Sequence, residues 1–462
     1  MSQQQALSDE RYAQVHRIES HGPPIKSESE SPDLGARQFQ PNVGSPQYRS
    51  YEDSYSPPAQ VGWYPAVLLP SELRKYHQPP TYLFSEIIPI ADPSSFHDLP
   101  AEYTHILPMT TLVEPRFAAR ANELINQRLN RQPGGTSVVD PDSILGESGR
   151  LYHGYKDGKY YLPNDAAEQE RLDLQHEMYR LLFDGWLALA PMSRPPRYVL
   201  DIGTGTGLWA RDFAEQNPSS YVIGSDLSVI QPDTTLSNLV WSKDDAEDAW
   251  LFPLPTSHLV SEHLRDSNVQ AHLIQFDYIH LRLVFTCFNS PQTVIKHAFD
   301  NLSPGGLLEF QDLSPEIYQN NPAFEGDALQ RWSEACSRGA MSVGRDLHVA
   351  EKYKQWLEEA GFVEVVETRF VLPCHQWMKD PKFKQIGAFN QQNFTEGVRG
   401  GGWKMLKASG MTTEEIELLI SQVKTELRIR KNHIYGYVYV VYGRKPHPSE
   451  LHASASSVPA RS

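Results

Sequence analysis

From Arg197 onward, short apolar runs alternate with stretches whose apolar residues recur every three to four positions. "RYVLDI" reads as a first strand and "GLWARDFAEQNP" as a helix stopped by Asn-Pro. The same rhythm predicts strands at "YVIGSDL", "LVWSKDD" and "FDYIHLRLVF", then a helix at "SPQTVIKHAFDNLSPGG" and a fifth strand at "LLEFQDL". "VAEKYKQWLEEAGF" is a further helix before strand six, "VEVVETRFVL". In "TTEEIELLISQVKTELRIRKN", Ile416, Leu419, Ile420, Val423 and Leu427 share one stripe, opened by a Thr412/Glu415 capping box. "HIYGYVYVVYGRKP" supplies a last strand at the end of the sheet. Elements in this order imply an α/β fold with parallel strands and helices on both faces.

Upstream the pattern is weaker. Residues 1–60, rich in Ser, Gln, Pro and Glu, show no sustained apolar period and are expected to be a disordered tail. "IKSE" within them places Lys26 in a SUMO-acceptor pattern, although a solvated charge run explains it better. Residues 61–147 form an N-terminal extension with enough apolar character to fold or dock, and "RQPGGTSVVDPD" inside it reads as a linker. Next comes a tyrosine-dense segment, "GRLYHGYKDGKYYLPND", and one helix with Leu174, Met178, Leu181, Leu182, Trp186 and Leu189 on a single face. Asp165 and Glu168 make a capping box at its start. A core domain over 148–445 and a disordered tail over 446–462 complete the chain.

Composition narrows the functions. A formal net charge of −15 over 462 residues argues against direct nucleic-acid binding, which needs a cationic face. The mean hydropathy of −0.49 reflects a real core diluted by polar segments. Cys287, Cys336 and Cys374 lack metal-ligand spacing, so neither disulfides nor bound metal are expected. No signal segment or membrane-spanning run is visible, which points to a soluble protein of the cytoplasm or nucleus. "RIRK" (428–431) falls inside a predicted helix and is no strong localisation signal.

The chemistry concentrates in "VLDIGTGTG". Gly203, Gly205 and Gly207 allow a tight turn and bring bare backbone against a ligand. A nicotinamide site would want a small residue at position 208, where Leu208 stands. Asp201 ends the first strand, and an ammonium group on the ligand would explain it. A ligand that is nucleoside-like at one end and amino-acid-like at the other fits, as S-adenosylmethionine does. Asp226 closes strand two, where a carboxylate accepts ribose hydroxyls. Asp244 and Asp245 follow strand three, and one of them could accept the adenine amino group beside the Ala246 N–H. Each also reads as a surface acid. His280, at the end of strand four, is the first candidate for a catalytic base, ahead of Glu309, Asp312, His348 and His375. Tyr318, Phe324, Trp332 and the insertion "CHQWMKDPKFKQIGAFNQQNF" either line an acceptor pocket or pack as core.

"VLDIGTGTG", "VIGSDLSVIQP", "FDYIHLR" and "LSPGGLLEFQD" resemble the class I S-adenosylmethionine-dependent methyltransferases. The segment "YHGYKDGKYYLPND", with "EQERLDLQH" and "GTGTGLWARDFA", is similar to the fungal LaeA-like methyltransferases of secondary metabolism. The resemblance spans roughly 148–445 and implies a Rossmann-like seven-stranded sheet. It assigns cofactor binding to Asp201, Gly203, Gly205, Gly207, Asp226, Asp244 and Asp245, with Tyr152, Tyr160 or Tyr161 capping the site. It implies a small-molecule oxygen or nitrogen as methyl acceptor. The alternative it implies is a nuclear regulator of secondary-metabolite genes with velvet-type protein partners.

Overall fold

The computed structural model describes residues 137–450 apart from 157, 256–272, 322 and 325. The expected N-terminal tail with Lys26, most of the 61–147 extension and the end of the C-terminal tail lie outside the described residues.

A two-stranded hairpin, β1 (Ile144–Leu145) and β2 (Leu151–Tyr152), precedes helix α1 (Ala166–Leu182). The αβ units follow: β3 (Tyr198–Ile202), α2 (Leu208–Gln216), β4 (Tyr221–Asp226), β5 (Leu239–Lys243), β6 (Phe276–Arg282), α3 (Pro291–Asn301) and β7 (Leu302–Leu313). The C-terminal part comprises β8 (Tyr318–Gln319), α4 (Ala328–Ser342), α5 (Tyr353–Glu359), β9 (Val363–Pro373), α6 (Pro381–Ala408), α7 (Thr413–Glu426) and β10 (Ile434–Arg444). Seven strands run β5-β4-β3-β6-β7-β10-β9, and the short β8 pairs with the start of β10. The strands from β5 to β7 are parallel, and β10 is antiparallel to both its neighbours.

Side chains alternate across the sheet, as strand geometry demands. Val199 of β3 packs with Trp209, Ala210 and Phe213 of α2, whereas Leu200 and Ile202 pack on the other face with Val294, Ile295 and Ala298 of α3. Helices therefore cover both faces, and the carboxyl ends of the parallel strands form one rim. A second cluster joins α4, α6 and α7, where Ile416, Leu419, Ile420, Val423 and Leu427 are buried as the stripe predicts. The Thr412/Glu415 capping box is present.

Several boundaries move. The single helix expected to run through Trp186 and Leu189 stops at Leu182, because Asp184 and Gly185 both take positive φ and turn the chain. Asp165 caps α1, but Glu168 turns to Arg171 and does not complete a box. Strand four ends at Arg282, since Leu283 is left-handed, and "RIRK" lies beyond the end of α7. The last strand is not an edge: β10 sits between β7 and β9, consistent with its nearly unbroken apolar run. The expected linker is partly structural. Val138 exchanges backbone hydrogen bonds with the Gln169 side chain, and Asp140 is buried. At the other end His447 and Glu450 still bond one another, and Glu450 pairs with Arg444, so the tail starts later than Pro446. The insertion between strands six and seven is mostly the 28-residue helix α6.

Candidate active site

The rim carries a cleft, open to solvent, between the strand ends and the tyrosine-dense segment. Asp201, Gly203, Gly205, Asp226, Asp244, Asp245, His280 and Tyr160 all line it. The turn after β3 has Gly203, Gly205 and Gly207 at φ 69°, 57° and 79°, a region that favours glycine. Gly207 has a second reason: a Cβ there would sit 2.5 Å from the Trp241 ring.

Asp201 is 3% exposed and held by two side chains. The Thr204 hydroxyl donates to Oδ2 at 2.6 Å, and His280 Nδ1 lies 2.8 Å from Oδ1. Register explains the second contact, since Asp201 and His280 are cross-strand partners in β3 and β6. His280 is wholly buried, and its ring stacks on Trp209 at 3.7 Å. Asp201 at Nδ1 and Trp209 on one face hold the His280 ring in place within the cleft lining. Its Nε2 has no hydrogen-bond partner among the described residues.

Asp226 accepts from the Gly205 N–H at 2.9 Å and from the Ser228 N–H and hydroxyl at 3.0 and 2.9 Å. Burial pushes its carboxyl above the usual range, against those donors. Gln231, in "SVIQP", donates to the carbonyls of Gly205 and Ser228 and ties the two loops together.

The acidic loop after β5 meets the tyrosine-dense segment. Asp245 receives Lys156 Nζ at 2.8 Å and also Lys159, while Lys159 reaches Glu247 at 3.0 Å. These lysines hold the Asp245 carboxyl below its usual range despite burial. Asp245 therefore also anchors the tyrosine-dense segment, and both Asp244 and Asp245 line the cleft. The charge match between "YKDGKYY" and "DDAED" was legible in the sequence. Of the three tyrosines, Tyr160 alone reaches the cleft. Tyr152 is buried against Ser148 and Lys404, and Tyr161 packs under Arg345.

The remaining candidates also lie outside the cleft lining. Glu309 is fully buried and accepts from the Leu189 and Ala190 N–H groups, Tyr278 and Gln311. Asp312 is bound by Tyr353 and the Val284 N–H, and burial pushes its carboxyl up to about 7. His348 lies between Glu316 and Glu351, and His375 is bonded to the Asn432 carbonyl. Tyr318 stacks in an aromatic group with Tyr435 and Tyr437, and Phe324 and Trp332 pack in the α4–α6–α7 cluster.

Sequence reasoning missed a polar network on the opposite wall. Arg282 Nη2 lies 2.8 Å from His176 Nδ1, whose Nε2 is 3.1 Å from Asp212, and Arg180 also binds Asp212. Arg282 follows His280 by two residues on the same strand face, which is the signal that was available. Burial pushes His176 down to about 4. An unfolded histidine takes its proton near pH 6.5, whereas folded His176 refuses it until about 4. Stability from this group is lost as pH falls through that window, by up to about 3 kcal/mol. Asp312 acts in the opposite sense, favouring the folded state at low pH. The expected result is a urea midpoint that drops more steeply with acidification in the wild type than in His176→Asn. Equal slopes would contradict a neutral imidazole.

A methyltransferase-domain family profile matches residues 174–368. The methyltransferase pytC of Aspergillus terreus is 31% identical over 302 residues, covering 65% of this chain and 87% of that protein. The chain belongs to the class I S-adenosylmethionine-dependent methyltransferases. The probable methyltransferase tdiE of Emericella nidulans is 32% identical, covering 60% of this methyltransferase and 82% of its own length. The secondary metabolism regulator laeA of Aspergillus fumigatus is 28% identical, covering 67% and 80%. No described helix of the methyltransferase is long and apolar enough to cross a membrane.

Proposed function

We propose that this methyltransferase acts in secondary metabolism and methylates an oxygen or nitrogen of a small molecule. The observation that carries the reading is the buried Asp201 carboxylate, fixed by Thr204 and His280 at the mouth of the left-handed glycine turn. A fixed anion beside bare backbone suits the ammonium and nucleoside ends of S-adenosylmethionine, so the residues fit the cofactor. Asp226 would hold the ribose, and Asp244 with the Ala246 N–H would hold the adenine. Arg282, steadied by neutral His176, offers its remaining N–H groups to the donor's carboxylate.

The bound donor supplies a methyl group already activated by its sulfonium. The chain's contribution is then to orient the donor and exclude water. Asp201, Asp226 and Arg282 orient it, while Tyr160 and the Lys156/Lys159 anchor close the outer side. His280 keeps the Asp201 carboxylate turned toward the glycine loop. A base is needed where the acceptor is protonated at working pH.

Higher identity to pytC and tdiE, named as methyltransferases, than to the regulator laeA supports an enzyme over a regulator. The second reading, regulation of secondary-metabolite genes, is favoured by the similarity to laeA over 80% of that protein. Deleting the gene and profiling metabolites separates them. Loss of one product's methyl group is the expected result, and collapse of many unrelated products would replace the first reading with the second.

A further inference from the structure

Two hydroxyls of a ribose need two acceptors, and Asp226 has already spent most of its capacity. A carboxylate offers about four lone-pair positions. Three are taken by the Gly205 N–H, the Ser228 N–H and the Ser228 hydroxyl. One position remains, so the second hydroxyl requires another acceptor nearby.

His153 fits that requirement. It lines the same cleft yet is 2% exposed. Its Nδ1 lies 2.8 Å from the Tyr155 carbonyl oxygen, and a carbonyl can only accept, so the proton sits on Nδ1. In the neutral ring Nε2 is then a bare acceptor, and it has no hydrogen-bond partner among the described residues. Such an orphan is costly unless a ligand completes it. The ring is also held in place. Tyr160 packs against it with centroids 5.6 Å apart, and the adjacent Gly154 lies so close to the Asp142 carbonyl that a Cβ would stand 2.1 Å from it. The Lys156 and Lys159 pairs with Asp245 fix the segment on its other side.

We propose that His153 is a cofactor-binding residue, its Nε2 accepting the ribose hydroxyl for which Asp226 has no free position. The inference rests on the reading of the cleft as the S-adenosylmethionine site. The tyrosine-dense segment is then a wall of the cofactor site with its own polar contact, and more than a cover.

Isothermal titration of the full chain with S-adenosylhomocysteine and its 2′-deoxy and 3′-deoxy analogues tests this. For the wild type, each deoxy analogue is expected to bind about five- to tenfold more weakly. His153→Phe keeps a ring in place but removes the acceptor. It is expected to weaken S-adenosylhomocysteine by a similar factor and to become indifferent to loss of one particular hydroxyl. His153→Gln, which retains an acceptor oxygen, is expected to recover part of the loss. An unchanged affinity in His153→Phe overturns the inference while leaving the cofactor site standing. So does an equal weakening of all three ligands, the signature of a purely structural role. If wild-type protein fails to bind S-adenosylhomocysteine at all, the reading of the cleft falls and this inference with it.

Discussion

Asp201→Asn is expected to weaken binding of S-adenosylhomocysteine by about a hundredfold while the chain stays folded. The carboxylate is 3% exposed and receives two side-chain donors, one on each oxygen. Each oxygen keeps a further lone pair for an incoming cation. Losing the charge from a desolvated, hydrogen-bonded pair costs about 3 kcal/mol, and each 1.4 kcal/mol is a factor of ten. Folding suffers much less. Asparagine retains one acceptor oxygen, the Thr204 hydroxyl can rotate to accept from the new amide, and His280 can change tautomer. Isothermal titration beside a thermal melt reads both quantities. An Asn variant binding within about threefold of wild type would remove the ammonium from this position.

The second large effect concerns stability. Gly339 of α4 lies against α6, and a Cβ built there stands 1.8 Å from the Met405 carbonyl oxygen and 3.0 Å from the Ser409 nitrogen. Two tendencies oppose each other in Gly339→Ala. Helix propensity favours alanine by about 1 kcal/mol. Against it, backbone atoms of the neighbouring helix cannot rotate away as a side chain could, so α4 and α6 must separate. Overpacking of this kind costs about 3 kcal/mol. The clash wins, and urea unfolding is expected to show a net loss of about 2 kcal/mol or more. Because Gly339 does not line the cleft, cofactor affinity of the folded variant should hold within about twofold. A variant as stable as wild type would mean that the two helices are not in contact as described.

Both effects trace to features that differ in how far the sequence exposes them. The order of strands and helices from Arg197 was legible because alternating apolar runs and 3.6-residue periods are local signals. So was the clustering of Asp201, the glycines, Asp226 and the Asp244/Asp245 loop, since each follows a strand and parallel strands bring their carboxyl ends to one rim. The capping box at Thr412 was legible for the same reason.

What required the tertiary structure was every property that depends on a partner distant in the chain. That Asp201 binds His280 Nδ1 becomes visible only when β6 is laid beside β3. Asp245 gains Lys156 and Lys159 as partners from 86 to 89 residues away. Tyr152, Tyr160 and Tyr161 are one residue type in one segment, yet folding sends Tyr160 alone to the cleft. The glycines of α6 weaken its helical signal, and packing explains one of them, since a Cβ at Gly402 would stand 2.6 Å from Trp332 of α4. Local patterns are written by residues near in sequence. Hydrogen-bond partners and close approaches are written by the packing of elements, which no short window of sequence contains.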